Sequence, residues 1–136
     1  MAARYPRFFW LLLLAFGLLA CEEDSGQDLI GSWRAQALTM HQSSVDTSFQ
    51  AAFERLKPQM LLKFRADSSY RSTLGRLNGD KHPARGVWHL NAAGDTLTMK
   101  EEGQRFAVHL RLERPASNAL ILRSGEMQLE LRRVAE

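Results

Sequence analysis

Apolar and polar side chains alternate along most of the chain from residue 60 onward. The clearest runs are 106–112 and 127–131, in which every second residue is apolar. Successive side chains of a β-strand point to opposite faces, so each run predicts a strand with one buried face. Turn residues separate the runs. Eight strands are predicted, near residues 29–40, 60–66, 69–75, 85–91, 95–101, 104–113, 118–123 and 126–134.

One segment between the first two predicted strands has the period of a helix. Its apolar residues, spaced i, i+3, i+4 and i+7 on a single helical face, are Phe49, Ala52, Phe53 and Leu56. Thr47 with Gln50 three residues later fits a capping box, and Pro58 lies just beyond the end. The pattern predicts a helix of about ten residues.

Eight sequential strands joined mostly by short turns predict an all-β fold, an eight-stranded antiparallel up-and-down barrel with one short helix between strands 1 and 2. Closure would pair the last strand with the first and remove both exposed edges. An open meander or a two-sheet sandwich built from the same strands would show nearly the same alternation. We take the barrel as the expected architecture.

The first 20 residues have the layout of a secretory signal peptide. Arg4 and Arg7 precede an uncharged run over 8–20. As a helix, that run spans about 20 Å, which is less than the roughly 30 Å hydrocarbon core of a bilayer. The layout therefore predicts a signal peptide over 1–20 rather than a permanent transmembrane helix.

Residues 18–21, Leu-Leu-Ala-Cys, resemble the lipobox of bacterial lipoproteins. The resemblance implies cleavage after Ala20, a diacylglycerol thioether on Cys21 and fatty acylation, such as palmitate, of the new amino terminus. Two or three acyl chains hold a protein durably on a membrane, whereas one chain holds it only marginally. We therefore expect a lipid-anchored protein of the cell envelope, at the outer membrane. The alternative is an ordinary signal peptide in which Cys21 is incidental.

The residues after the cysteine are polar, and we interpret 21–28 as the lipidated cysteine followed by an acidic tether. The acidic cluster 22–24 resembles the export signals of some lipoproteins of Bacteroidetes-like bacteria. That resemblance implies exposure at the cell surface, and display toward the periplasm is the alternative. The folded domain is then expected over 29–134.

The folded part begins Leu29-Ile30-Gly31-Ser32-Trp33, and Gly-x-Trp at the start of strand 1 resembles the lipocalin signature. The segments 64–70, 86–90 and 94–99 are similar to the small lipocalin-like domains of bacterial lipoproteins. The resemblance covers roughly 29–134. It departs from the larger lipocalins in lacking a C-terminal helix and in placing a helix after strand 1. It implies a barrel that binds a small apolar or amphipathic molecule at its mouth.

Strand parity gives a prediction for the narrow end of the barrel. The end of the last strand lies beside the start of the first when the two pair antiparallel. Arg133 could then stack over Trp33 near Gly31, as a late arginine does in the lipocalin family, and contribute about 0.5–2 kcal/mol. The alternative is a frayed end with Arg133 solvated. The long connections 41–59 and 76–84 are expected at the opposite rim, the mouth.

The candidate ligand-binding cavity is lined by bulky residues on the inward face of the strands: Phe64, Tyr70, Trp88, Met99 and Phe106. Phe49 and Phe53 of the helix are candidate lid residues. A plainly packed core is the alternative, because such residues more often fill a barrel than line a void. Four cations near the rim, Arg71, Arg76, Lys81 and Arg85, could orient an anionic headgroup over the throat or could simply be solvated.

Composition narrows the function class. The 136 residues carry a formal net charge of +3, and removal of Arg4 and Arg7 with the signal peptide leaves about +1, which gives no strong electrostatic case for nucleic acid. A single cysteine excludes an internal disulfide, and the four histidines have no metal-ligand spacing. Neither a nucleophile elbow nor a phosphate loop is present. We expect no catalytic residues, metal or cofactor. The alternative to a ligand carrier is a non-enzymatic lipoprotein whose filled barrel docks another envelope protein.

Overall fold

The computed structural model describes residues 26–40 and 47–135, and within them the chain forms eight strands, one α-helix and short 3-10 helices. The predictions for the signal peptide, the lipobox and Cys21 lie outside the described residues. The α-helix and strands are β1 (Gly31–Met40), α1 (Thr47–Leu56), β2 (Leu61–Phe64), β3 (Ser69–Ser72), β4 (Ala84–Leu90), β5 (Thr96–Glu101), β6 (Val108–Ala116), β7 (Ala119–Ser124) and β8 (Met127–Val134).

The strands pair in sequence order and close into an antiparallel barrel. β1 pairs with β2 on one side and with β8 on the other, where the register runs from Ser32 opposite Val134 to Met40 opposite Met127. The predicted eight-stranded up-and-down barrel with one helix after strand 1 is therefore confirmed. An open meander is excluded because both edge strands are paired with each other.

The core occupies the barrel interior, and every strand contributes to it. Burial alternates along the strands, most plainly in β4, where Gly86, Trp88 and Leu90 are buried and the residues between them are exposed. The rings of Phe64 and Trp88 meet edge to face, with centroids 5.2 Å apart. All of these elements lie within 26–135, so a chain without the first 21 residues still contains every described helix and strand.

Helix α1 covers part of the mouth, which is the upper end of the barrel, at the place where β1 ends and β2 begins. Phe53 is 1% exposed and belongs to the core, while Phe49 and Leu56 are half-buried against it. Gln50 Nε2 donates to the Leu38 carbonyl at 3.5 Å. A second short helix, the 3-10 turn Leu74–Asn78 after β3, packs beside α1. The β1–β3 side of the mouth is therefore filled by Phe53.

The prediction that Phe106 lines the interior is wrong. Strand β6 begins at Val108, and Met99 opposite Val108 is the last register pair of β5 with β6. The chain between them turns at Gly103, which has a φ of +81°. Phe106 thus continues the alternation in sequence but lies beyond the ladder, and it is 79% exposed.

The folded part also begins earlier than the tether prediction placed it. Residues 26–29 lie in a 3-10 helix, and Leu29 is fully buried. A Cβ built on Gly26 would lie 3.3 Å from the Trp88 ring, so this residue packs directly on the core. The polar segment is therefore part of the barrel at least from Gly26 onward.

The two phenylalanines on either side of the mouth give a matched test of this packing. We expect Phe53→Ala to lower the free energy of unfolding by about 3–5 kcal/mol, because it empties a filled core position. Phe106→Ala should change it by less than about 0.5 kcal/mol, because the ring is already in solvent. Chemical denaturation of both variants measures this. Equal losses would contradict the assignment of one ring to the core and the other to solvent.

Candidate functional site

The narrow end of the barrel is closed by Trp33. Its ring is buried, and its indole Nε1 donates to the Leu29 carbonyl at 2.9 Å. The guanidinium carbon of Arg133 lies 4.4 Å from the centre of the Trp33 ring. A cation at this distance over an indole is in cation–π contact. The stacking that strand parity predicts is thus present in the structure.

Arg133 also satisfies backbone carbonyls around this end. Nη1 donates to the Ile30 carbonyl at 2.8 Å, Nη2 donates to the Asp28 carbonyl, and Nε reaches the Ser117 carbonyl at 3.5 Å. Gly31 has a φ of +133°, and a Cβ there would lie 2.7 Å from Arg133 Nη1. A side chain at position 31 would therefore be strained and would push the guanidinium away from the carbonyls.

A cleft of about 570 Å³ opens beside this closure, and Asp28, Arg114 and Asn118 are among its lining residues. Arg114 Nη1 lies 3.2 Å from Asp28 Oδ2. This ion pair and the Arg133 bonds hold the 26–30 segment across the closed end. The segment was missed by sequence reasoning, because Asp28 and Arg114 are 86 positions apart and neither has a local signal.

Three of the predicted cavity residues belong to the packed core. Phe64, Tyr70 and Trp88 are buried, and Trp88 Nε1 donates to the Arg65 carbonyl at 3.3 Å. Burial raises the pKa of the Tyr70 hydroxyl, and the negative charge of Glu101 raises it further. The lower and middle interior is therefore closely packed, as the filled-core alternative describes.

The upper end is less completely packed along β5, β6 and β8. There the inward-facing residues of β5, β6 and β8 are incompletely covered; we call Met99, Val108, Leu110 and Met127 the mouth patch. Val108 is 53% exposed and Met127 is 38% exposed, and Met99 and Leu110 are half-buried. Val108 lies opposite Met99 and in phase with buried Leu112, so it faces inward. Apolar surface thus remains accessible at the barrel mouth.

One histidine contact lies on the outer surface of the barrel. His109 Nδ1 and Thr98 Oγ1 are 2.9 Å apart on neighbouring strands at the outer surface. Within 26–40 and 47–135, no group of three His, Cys, Asp or Glu side chains is arranged to hold a metal ion. None of the helices in this part of the chain is long and apolar enough to cross a bilayer.

Comparison with known proteins adds a structural likeness. No family model and no curated protein matches the chain. The fold resembles the crystal structure of a DUF4847 family protein from Bacteroides vulgatus, with a TM-score of 0.55 and 9% sequence identity. The match covers 79% of this chain and 95% of that one. At this identity the likeness supports the barrel fold alone.

The closed end gives a test with neighbouring residues as its control. We expect Arg133→Ala to lower the free energy of unfolding by about 2–4 kcal/mol, since it removes the stacking on Trp33 and leaves carbonyls without donors. Arg132→Ala should cost less than about 1 kcal/mol, because that side chain is exposed on the outer face. Thermal and urea unfolding compare the two. Similar effects would show that Arg133 does not secure the closure.

Proposed function

We propose that this protein is a lipid-anchored envelope lipoprotein whose barrel binds a small apolar or amphipathic molecule at the mouth patch. The observation that carries the binding role is the exposure of Val108 and Met127, which face the barrel interior yet remain in solvent. Exposed apolar surface is a common mark of a binding site, and here it lies on the inward face of the strands.

The packed lower barrel limits how deep such a ligand can reach. Phe64 and Leu97 are fully buried, and Trp88 packs against Phe64 beneath the mouth. A ligand would therefore cover the mouth patch without entering the lower barrel. Burial of apolar surface contributes roughly 25 cal/mol per Å², and association entropy opposes it, so a shallow site favours affinities on the order of micromolar.

The anchor would fix how the barrel faces the membrane. Gly26 packs at the closed end, and the five residues from Cys21 to that point span at most about 18 Å. Strand β1 has ten residues, which at the usual tilt of barrel strands places the mouth about 25 Å from the closed end. A lipid on Cys21 would thus hold the closed end toward the bilayer and the mouth away from it.

A non-enzymatic lipoprotein that docks another envelope protein is the second candidate. Val87 on the outer face is 57% exposed, which favours this alternative. Its register neighbours, however, are Ser69 on β3 and Lys100 on β5, so it is an isolated apolar side chain among polar ones. Single exposed apolar residues are normal on protein surfaces. The mouth patch is therefore the better supported site.

Ligand binding can be tested on the 22–136 chain with a fluorescent fatty acid as the probe. We expect the double variant Val108→Asn/Met127→Gln to bind at least tenfold more weakly, because it removes apolar contacts worth about 1.4 kcal/mol or more. Val87→Asn, which changes a similarly exposed valine on the outer face, should bind like the wild type. Absence of any uptake by the wild-type chain would refute the carrier role and leave the docking alternative.

The anchor is tested separately in cells that process lipoproteins. We expect the full chain to incorporate labelled palmitate and to fractionate with membranes, and Cys21→Ser to lose both properties. Cys21 is the single cysteine of the chain, so thioether attachment has no other site. Unlabelled wild-type protein released in soluble form would show that the segment 1–20 is an ordinary signal peptide.

A further inference from the structure

A row of cationic side chains crosses the outer face of the barrel. In the strand register, Lys63 on β2 lies opposite Arg71 on β3, and Arg71 lies opposite Arg85 on β4. Arg71 and Arg85 point away from the barrel interior, because their neighbours Tyr70 and Gly86 are buried on the inner face. These two arginines therefore do not point over the barrel mouth, where the sequence suggested that they could orient an anionic headgroup.

Like charges directly opposite each other on neighbouring strands are destabilising, because their side chains start only about 5 Å apart. The pair Arg111 and Arg123 on β6 and β7 has the same arrangement, but Glu113 Oε2 lies 3.3 Å from Arg123 Nη2. In the part of the chain described by the structure, Arg71 and Arg85 have no such carboxylate partner. Among the described residues, no ion pair offsets their repulsion.

Arg71 and Arg85 also share a cavity. Arg34 and Arg132 also lie directly opposite each other, so like-charge pairing alone marks no site. Arg71 and Arg85, by contrast, line a cavity of about 290 Å³ together with Arg65. Its other lining residues are Ser69, Tyr70, Gly86 and Glu102. Three arginines and one glutamate are thus the charged residues that line this concave site.

Gly86 is needed at the base of this cavity. A Cβ at this position would meet the Lys100 carbonyl oxygen and would lie 2.8 Å from the Tyr70 ring. The absence of a side chain therefore lets Tyr70 and the β5 backbone approach closely. Glu102 also lines this cavity, and its backbone N–H donates to the Arg85 carbonyl at 2.8 Å. The concave shape is thus built from backbone contacts.

The geometry points to a binding site for a phosphate group, formed by Arg65, Arg71 and Arg85. Three guanidiniums against one carboxylate leave a net charge of about +2, which a doubly ionised phosphate monoester neutralises and a single carboxylate does not. The guanidinium fork matches two phosphate oxygens at once, and one phosphate can accept from more than one arginine. The ligand is therefore a soluble phosphate compound or a phosphomonoester lipid headgroup.

The site is tested with the 22–136 chain, pyrophosphate as the probe and isothermal titration calorimetry. We expect Arg71→Gln/Arg85→Gln to bind pyrophosphate at least tenfold more weakly than the wild type. The matched control Arg111→Gln/Arg123→Gln, which alters an opposite arginine pair that has its own carboxylate, should bind normally. Equal weakening in both variants, or no binding by the wild type, would overturn the proposal.

Melting temperatures provide the second measurement, and they also show whether the variant is folded. The Arg71→Gln/Arg85→Gln variant should melt no lower than the wild type in low salt, since it relieves repulsion. Phosphate should raise the wild-type melting temperature more than sodium chloride of the same ionic strength, and this difference should vanish in the variant. An identical response to both salts would indicate screening only and would count against a specific site.

Vesicles distinguish the two sources of phosphate. Flotation with phosphatidic acid vesicles, but not with phosphatidylcholine vesicles, would assign the site to a membrane headgroup. Binding of pyrophosphate without flotation would assign it to a soluble phosphate compound. This site is independent of the mouth patch, so Val108→Asn/Met127→Gln should retain pyrophosphate binding even if the carrier role fails.

Discussion

The pairing of β1 with β8 is the contact on which the other features of this protein depend. Without this pairing, β1 and β8 would be exposed edge strands, and the sheet would not enclose an interior. The register extends over the length of β1, and at its end Arg133 stacks on Trp33 and bonds the carbonyls of the 26–30 segment. The same arginine thus joins the last strand, the first strand and the chain that precedes it.

This closure makes the two ends of the barrel unequal. At one end the 26–30 segment crosses the opening and Leu29 is fully buried. At the other, Phe53 of α1 fills the side near β1 to β3, while Val108 and Met127 remain in solvent. Inward-facing apolar residues therefore differ in exposure according to whether they lie near the closed end or near the mouth. Near the mouth, inward-facing apolar side chains of the described chain stay exposed.

Local periodicity explains why most of the fold could be predicted from the sequence. Alternation is a property of each strand, so it marks Phe64 and Trp88 as inward without knowledge of their neighbours. The residue at which two paired strands separate, however, depends on the partner strand. The chain turns at Gly103, after β5, so Phe106 lies beyond the last paired residues and is not inside the barrel. The Asp28–Arg114 ion pair joins distant segments and has no sequence signal. The role of Cys21 stays a prediction.

The distribution of packing also explains how the barrel tolerates unfavourable surface features. Trp33, Phe64 and Leu97 are almost fully buried, so the closed and middle parts supply most of the hydrophobic stabilisation. Uncovered apolar side chains at the mouth, and opposed Arg71 and Arg85 on the outer face, each lower stability by a modest amount. A ligand that covers either feature binds the folded state alone and therefore adds to its stability. Features that are unfavourable in the free protein would become favourable in such a complex, which is the physical reason for proposing binding at both.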